Sequence, residues 1–132
     1  MTGQAKTVLV ACDEKHHEML TDQMDFILLA RNERVIFSFV FDLESAIDQL
    51  KEDESISVVI TDVSLPTMIG LRLLNAIKKN NIIKDIYVIG VSDCFYWKDR
   101  FIKAGADSAY CFAENPEKLL EKVSAVIGEE KS

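Results

Sequence analysis

Two periodicities of apolar residues alternate along the chain. Short runs rich in β-branched residues predict buried strands, and apolar residues three or four positions apart predict the buried faces of helices. The strands are predicted at residues 7–12, 35–41, 58–61, 87–91 and 109–112. The helical faces that follow them are Leu20, Met24, Ile27 and Leu28; Leu43, Ala46, Ile47 and Leu50; Leu71, Leu74 and Ile77; a short helix over 95–103; and Leu119, Leu120, Val123, Val126 and Ile127. N-caps are predicted at Asp42 and, just before Pro116, at Asn115.

This alternation predicts an α/β fold. Five strand–helix units joined by short connections favour a flavodoxin-like (βα)5 architecture, a doubly wound parallel sheet with strand order 2-1-3-4-5. No repeat or linker divides the 132 residues, so a single domain over 1–132, with a core of about 6–128, is expected. Ligands of such sheets bind beyond the carboxyl ends of the strands, which is where candidate chemistry is sought.

Composition narrows the class of protein. A hydrophobic fraction of 48% with 28% charged residues is typical of a soluble globular domain. The apolar runs are too short to span a bilayer and the first residues make a poor signal peptide, so a cytoplasmic protein without membrane contact is expected. The net charge of −7 argues against nucleic-acid binding and favours protein partners or a cation.

Polar residues follow three of the predicted strands. Asp13 comes after the first strand, Asp62 after the third and Ser92 after the fourth. Two neighbouring carboxylates would repel each other, and a hard cation such as Mg²⁺ would relieve this while the hydroxyl bonds a phosphoryl oxygen. Phosphate chemistry at a magnesium site is one interpretation. The other is that these residues only cap helices and turns.

Four segments, taken in order, carry a family resemblance. They are VLVACDE, SVVITDVSLPTMIGLRLLNAIKK, DIYVIGVS and KAGADSAY, and the similarity runs from about Thr7 to Val126. Together they resemble the receiver domain of response regulators in two-component signalling. Pro66 in the loop and Gly70 at the start of the third helix belong to the same pattern.

The resemblance implies roles for individual residues. Asp62 would accept a phosphoryl group from a histidine kinase or a phosphotransfer protein. Asp13, Asp62 and the backbone carbonyl of Ser64 would bind Mg²⁺, and Ser92 would bond the phosphoryl oxygen. The chain would not be an enzyme beyond self-catalysed transfer and hydrolysis at Asp62. Its response would pass through binding to an unidentified output protein, and homodimerisation is left open.

Several residues depart from the family pattern. Cys12 replaces the first of the paired acids, and because a neutral thiol suits a hard cation poorly, magnesium binding should be weaker; Glu14 is an additional candidate ligand. Phe112 and Ala113 replace the Lys-Pro pair after the fifth strand. Ala109 stands at the aromatic switch position, with Tyr110 directed to the opposite face of the sheet.

Three functional hypotheses remain open. One is a phosphorylatable receiver, and the second is a pseudo-receiver, a protein-interaction module that phosphate does not govern. The retained Asp62, Asp13 and Ser92 favour the first, and the departures favour the second. A flavodoxin-like redox carrier is disfavoured because no phosphate-binding loop rich in Ser, Thr and Gly follows the first strand.

Consecutive aromatic residues form a candidate interaction site. Phe95, Tyr96 and Trp97 cannot all face inward on one helix, so at least one is a candidate interface anchor, together with Tyr110. The stretch from Ser92 to Ala104 is about two residues shorter than in common relatives, so the alternative is that Phe95 and Trp97 fold over this shortened loop and cover the core.

Cysteines and histidines also gather near the same end of the predicted sheet. Cys12, Cys94 and Cys111 fall near strand ends, and His16 and His17 open the first helix. A soft-metal or redox site of Cys12 and His16 is one hypothesis, although no ligand spacing supports it. The alternative is buried thiols that fill the core and a solvated histidine pair.

Overall fold

Strands and helices alternate as the apolar pattern predicts. The computed structural model describes residues 6–18, 20–22, 35–62, 69–80, 86–92, 95–111 and 116–129. The strands are β1 (Lys6–Ala11), β2 (Val35–Val40), β3 (Ile56–Asp62), β4 (Tyr87–Ser92) and β5 (Ser108–Cys111). A 3₁₀ turn (Glu14–His16) leads into helix α1, described at residues 17, 18 and 20–22, and the later helices are α2 (Leu43–Glu52), α3 (Ile69–Asn80), α4 (Phe95–Ala104) and α5 (Pro116–Glu129).

All five strands lie in one parallel sheet of order β2-β1-β3-β4-β5, which confirms the predicted topology. Its register brings the carboxyl ends of the central strands together. Ala11 of β1 is paired with Thr61 of β3, and the next residue of β3, Asp62, is paired with Val91 of β4. A side chain that follows β1 therefore reaches the same edge as Asp62 and Ser92.

The core has two layers, one on each face of the sheet. The first layer packs α2, α3 and α4 on one face through Ala46, Leu50, Leu73, Leu74, Ile77 and Phe101. The second layer packs α1 and α5 on the other face through Leu20, Leu119, Val123 and Val126. Each large apolar side chain buried in these layers contributes about 1.5–3 kcal/mol of transfer free energy. Among the described residues, no helix is both long and apolar enough to cross a membrane.

All five strands differ from their predicted bounds by one or two residues at one or both ends. β3 begins at Ile56, two residues before the predicted start, and includes Asp62. β1 ends at Ala11, although the Cys12 N–H still donates to the Val40 carbonyl at 3.1 Å. β5 begins at Ser108, one residue early, because the backbone pairing with Ile89 starts there. Apolar runs locate a buried strand, but hydrogen bonding to the neighbouring strand fixes its ends.

The N-cap predicted for the second helix is confirmed. Asp42 precedes α2 in an extended conformation, and its carboxylate accepts the Ser45 N–H at 2.7 Å and the Ser45 hydroxyl at 2.9 Å. These hydrogen bonds lower the pKa of Asp42. The last helix begins at the predicted Pro116, whereas Asn115 lies outside the described residues.

A fully buried phenylalanine sets the spacing between sheet and helices under the acidic edge. A Cβ added to Gly90 of β4 would lie 2.5 Å from the Phe101 ring. One added to Gly70 of α3 would lie 2.6 Å from the same ring and 2.2 Å from the backbone oxygen of Asp62. Only glycine allows these approaches, so Gly70 lets α3 pack directly against the strand that ends in Asp62, and Gly90 lets α4 pack directly against β4.

Candidate functional site

Buried polar side chains cluster at the carboxyl edge of the sheet. In the described part of the chain, the buried polar or charged residues are Thr61, Asp62 and Ser92, each at 0% exposure. All three stand in the last two residues of β3 or at the end of β4. The Thr61 hydroxyl donates to the Ala11 carbonyl at 2.8 Å, which ties β3 to β1 beside Asp62. Buried polar groups carry a desolvation cost, so their concentration here distinguishes this edge from the rest of the core.

Asp62 is hydrogen-bonded through both carboxylate oxygens. Its Oδ2 lies 2.5 Å from Nδ1 of His16, and its Oδ1 accepts the Asp13 N–H at 3.4 Å. Burial raises the pKa of Asp62, while the hydrogen bond and the charge of His16 act in the opposite direction. The charged form of this carboxylate thus depends on the groups around it to offset the lost hydration.

The turn after β1 brings His16 to Asp62. The Asp13 carboxylate accepts the Lys15 N–H at 3.0 Å, and the Asp13 carbonyl accepts the His16 N–H at 2.9 Å. These two bonds fold residues 14–16 into a 3₁₀ turn, with Glu14 and Lys15 exposed. The turn returns the His16 side chain to the sheet edge. Asp13 therefore caps this turn, in agreement with the interpretation that the polar residues after the strands cap helices and turns.

Cys12 lies close to both carboxylates. Its side chain is fully buried, and burial, followed by the negative charges of Asp62 and Asp13, raises the pKa of the thiol to about 12. The thiol is consequently neutral near pH 7. It adds neither charge nor a hard oxygen ligand to the site.

The contact between His16 and Asp62 was not predicted from the sequence, and the interpretation of a solvated histidine pair was wrong for His16. The side chain of His16 is 14% exposed and bonded to Asp62. His17 is exposed and packs edge-on against Phe39 and Phe41. The three-residue spacing between Asp13 and His16 could have indicated this contact. A residue three positions after a strand-end aspartate returns to the sheet edge when that aspartate caps a 3₁₀ turn.

The structure gives no support to a soft-metal site of Cys12 and His16. Within the described ranges, no group of three or more His, Cys, Asp or Glu is arranged to hold a metal ion. Cys12 and Cys111 are buried thiols, as the alternative interpretation predicted. Cys94 lies outside the described residues.

The sequence of this chain matches a known protein family over most of its length. The sequence profile of the response regulator receiver domain matches residues 8–124, which is most of the chain. The chain belongs to the receiver domain family of two-component response regulators. The receiver is also similar to the nitrate/nitrite response regulator protein NarP of Escherichia coli K12, at 36% identity over 81 residues. That match covers 61% of this chain and 37% of NarP, so it spans a little over a third of the relative's length.

Solved structures support the same fold. The receiver domain of the Francisella response regulator 1452 matches with a TM-score of 0.69 and 23% identity over 95% of this chain and 98% of that chain. The signal receiver domain of a DNA-binding response regulator (merR) from Colwellia psychrerythraea 34H gives a TM-score of 0.74 at 19% identity, over 93% and 98% of the two chains. The chemotaxis response regulator CheY4 of Vibrio cholerae gives 0.68 at 18% identity, over 92% and 98%. At these identities the likeness concerns the fold.

Receiver domains generally bind Mg²⁺, but the donors described here fit the ion incompletely. Asp13 and Asp62 supply carboxylates, whereas the neutral thiol of Cys12 stands where a third acid is usual. One oxygen of Asp62 is bonded to His16, and one oxygen of Asp13 is bonded to the backbone of Lys15. Mg²⁺ needs near-octahedral oxygen ligands, so this arrangement would have to change before the ion could bind closely. Ser64, the predicted backbone ligand, lies outside the described residues.

The predicted departures at β5 agree with the structure where it is described. Ala109 is buried in the layer under α4, and Tyr110 packs against the layer on the other face. The two residues therefore point to opposite faces, as the strand periodicity predicted. Phe112 and Ala113, which stand where the family has Lys-Pro, lie outside the described residues.

The aromatic segment divides between surface and core. Tyr96 is 56% exposed, with the Arg100 guanidinium 4.7 Å from the centre of its ring. Trp97 is half-buried and packs against the first core layer, as the covering alternative predicted for it. The Phe95 side chain is outside the described set. A groove of about 600 Å³ beside Tyr96 is lined by Leu71, Tyr96, Asp99, Arg100, Lys103 and Ala104.

Proposed function

We propose that this receiver accepts a phosphoryl group on Asp62 from a histidine kinase or a phosphotransfer protein, and that it signals by binding another protein. The observation that carries the proposal is the position of Asp62. It is a buried carboxylate at the end of the central strand, at the edge where ligands of such sheets bind. Membership of the receiver family supports this role over a purely structural one.

The proposed step is a simple displacement at phosphorus. A carboxylate oxygen of Asp62 attacks, the P–N bond of the donor phosphohistidine breaks, and the electron pair stays on the donor's imidazole nitrogen, which then takes up a proton. The product is an acyl phosphate, and attack by water at phosphorus releases inorganic phosphate and restores the carboxylate. Most of the catalysis of such transfers comes from positioning and electrostatic stabilisation.

The residues around Asp62 would assist the phosphoryl transfer. Asp13 orients the carboxylate through its backbone N–H, and the Ser92 hydroxyl, buried at the end of β4, is the proposed donor to a phosphoryl oxygen. Burial keeps bulk water away from the Asp62 carboxylate. The acyl phosphate carries more negative charge than the carboxylate it replaces, so hydrogen-bond donors and a cation are needed to stabilise it at this buried position. Magnesium binding by Asp13, Asp62 and the Ser64 carbonyl, with Glu14 as a further ligand, is part of the proposal as a weakened site.

A direct experiment uses small-molecule donors. The protein is incubated with Mg²⁺ and either acetyl phosphate or beryllofluoride, and followed by intact mass and two-dimensional NMR. We expect mass gain with acetyl phosphate and shifts around Asp62 and Ser92 with beryllofluoride, both absent from Asp62→Asn. If neither reagent distinguishes the wild type from the variant, the receiver is not phosphorylated at this position.

A pseudo-receiver is the second candidate, and one observation favours it. The Oδ2 atom of Asp62 is already bonded to His16 within the chain. A module that phosphate does not govern would keep this bond in its working state. Such a module would bind its partner equally well as wild type, Asp62→Asn and phosphodonor-treated protein.

The surface around Tyr96 is the proposed protein-binding site. It combines an exposed aromatic ring with two cations, Arg100 and Lys103, beside the α3–α4 groove. Aromatic and arginine side chains are enriched among interface residues that contribute most to binding. An output protein or a second copy of the chain, giving a homodimer, are the two occupants that we propose to test. The half-buried Tyr110 is a less accessible part of the predicted interaction set.

A further inference from the structure

His16 occupies the place at which a cation would meet the acceptor carboxylate. The distance of 2.5 Å between its Nδ1 and Oδ2 of Asp62 requires one proton between the two atoms. Whichever atom holds that proton, the lone pair of Oδ2 that faces the imidazole is engaged. A divalent ion cannot use the same lone pair while the bond exists.

The alternative ligands do not make up for this loss. Oδ1 of Asp62 faces the Asp13 backbone, and the thiol of Cys12 is neutral. One oxygen of the Asp13 carboxylate holds the 3₁₀ turn that carries His16, so a metal that takes this oxygen would also loosen that turn. Closing the imidazole onto Asp62 and binding a metal there are thus competing arrangements of the same few residues.

We propose that His16 competes with divalent cations for Asp62, so that this receiver holds its acceptor carboxylate with its own imidazole and binds Mg²⁺ only after His16 moves away. The inference rests on the proposed function only in taking Asp62 as the acceptor. His16 is in this sense a positioning residue, because it contacts the acceptor and governs what else can reach it. The imidazole bond would delay metal-dependent phosphorylation until a partner or an excess of metal opens the site.

The chain offers a matched control at the next position. His17 has the same side chain and lies in the same turn of chain, but it packs against Phe39 and Phe41 at the exposed side. Replacing His17 removes an imidazole without changing the Asp62 contact. Any general effect of losing a histidine on the charge of the protein is therefore measured separately.

The test is a Mg²⁺ titration at fixed pH without any phosphoryl donor, followed by two-dimensional NMR of the Asp13 and Asp62 amides. The proteins are wild type, His16→Ala, His16→Gln and His17→Ala. We expect His16→Ala to bind Mg²⁺ about 10- to 100-fold more tightly, which corresponds to the loss of one hydrogen bond to a charged group. His17→Ala should bind as the wild type does.

Unchanged or weaker Mg²⁺ binding in the His16 variants would overturn the inference. Far-UV circular dichroism checks that each variant is folded, and if His16→Ala is not, His16→Gln decides the question because it keeps a polar side chain in the turn. No phosphoryl donor is present, so the metal affinities stand whether or not Asp62 is later found to be phosphorylated. Failure of the proposed function and failure of this inference are thereby separate results.

Discussion

The contact between Phe101 and Gly90 predicts a measurable coupling in stability. The Phe101 ring is fully buried, and a methyl group on residue 90 would lie 2.5 Å from it, where ordinary contacts begin at 3.4 Å. The Gly90→Ala substitution must therefore move the ring by about 1 Å within a packed core. Overpacking of this kind costs about 1–3 kcal/mol of unfolding free energy.

Removing the ring should relieve that cost. Phe101→Ala alone is expected to lower the unfolding free energy by about 3–5 kcal/mol, because it leaves a cavity. In that background the methyl group of Gly90→Ala enters empty space, so the added cost should fall below about 0.5 kcal/mol. The double mutant would then show a coupling energy of about 1 kcal/mol or more, as expected for residues in direct contact.

The assay is urea unfolding followed by far-UV circular dichroism on the wild type, both single variants and the double variant. Ile89→Ala is the matched control, because Ile89 is equally buried but packs on the opposite face of the sheet. Gly90→Ala should cost the same with and without Ile89→Ala. An equal cost of Gly90→Ala with and without the Phe101 ring would show that the two residues are not in steric conflict.

Three further predictions concern single side chains. The hydrogen bonds from Ser45 lower the pKa of Asp42, so the charged Asp42 stabilises the folded protein above the ordinary carboxyl pKa, and this stabilisation is lost as the pH falls. The melting temperature of the wild type should therefore exceed that of Asp42→Ala at pH 7. The difference between the two melting temperatures should close towards pH 2. The buried Cys12, with its pKa raised to about 12, should resist iodoacetamide at pH 8 in the folded protein and react after unfolding, as peptide mass mapping would record; labelling at equal rates in both states would contradict this. The Asp107 carboxylate accepts the Val88 N–H at 2.8 Å, so Asp107→Ala should lower the unfolding free energy in urea by about 0.5–1.5 kcal/mol, and Asp107→Asn, which keeps an acceptor, should lower it less.

Much of the fold could be predicted because each element carries its own pattern. The apolar runs of β1 and β4 predict strands covered on both faces, and the stripes of α2 and α5 predict one buried side each. The order of the sheet follows from general preferences for right-handed parallel connections. Strand ends were predicted less well, since the seven-residue length of β3 depends on pairing with its neighbours.

The candidate site was predicted in its residue types but not in its internal bonds. Asp13, Asp62 and Ser92 could be expected at one edge, because strand ends of a parallel sheet meet there. The bond between His16 and Asp62 depends on a local choice, the capping of a 3₁₀ turn by Asp13. No periodicity marks such a turn, and the same residues could have left His16 in solvent.

The family resemblance and the structure gave different information about the site. The family pattern identified the acceptor position and the departures at Cys12 and Phe112. Side-chain geometry then showed that Cys12 is buried close to the acids and that one oxygen of Asp62 is bonded to His16. The proposed function therefore depends on the state of Asp62 more than on the fold.

The most direct measurement locates the phosphoryl group itself. Wild type and Asp62→Asn are treated with acetyl phosphate and Mg²⁺, the acyl phosphate is reduced with borohydride, and tandem mass spectrometry identifies the reduced residue. We expect reduction at Asp62 in the wild type and none in the variant. Reduction at another carboxylate, or at no residue under conditions that modify a typical receiver, would contradict the claim that Asp62 is the phosphoryl acceptor.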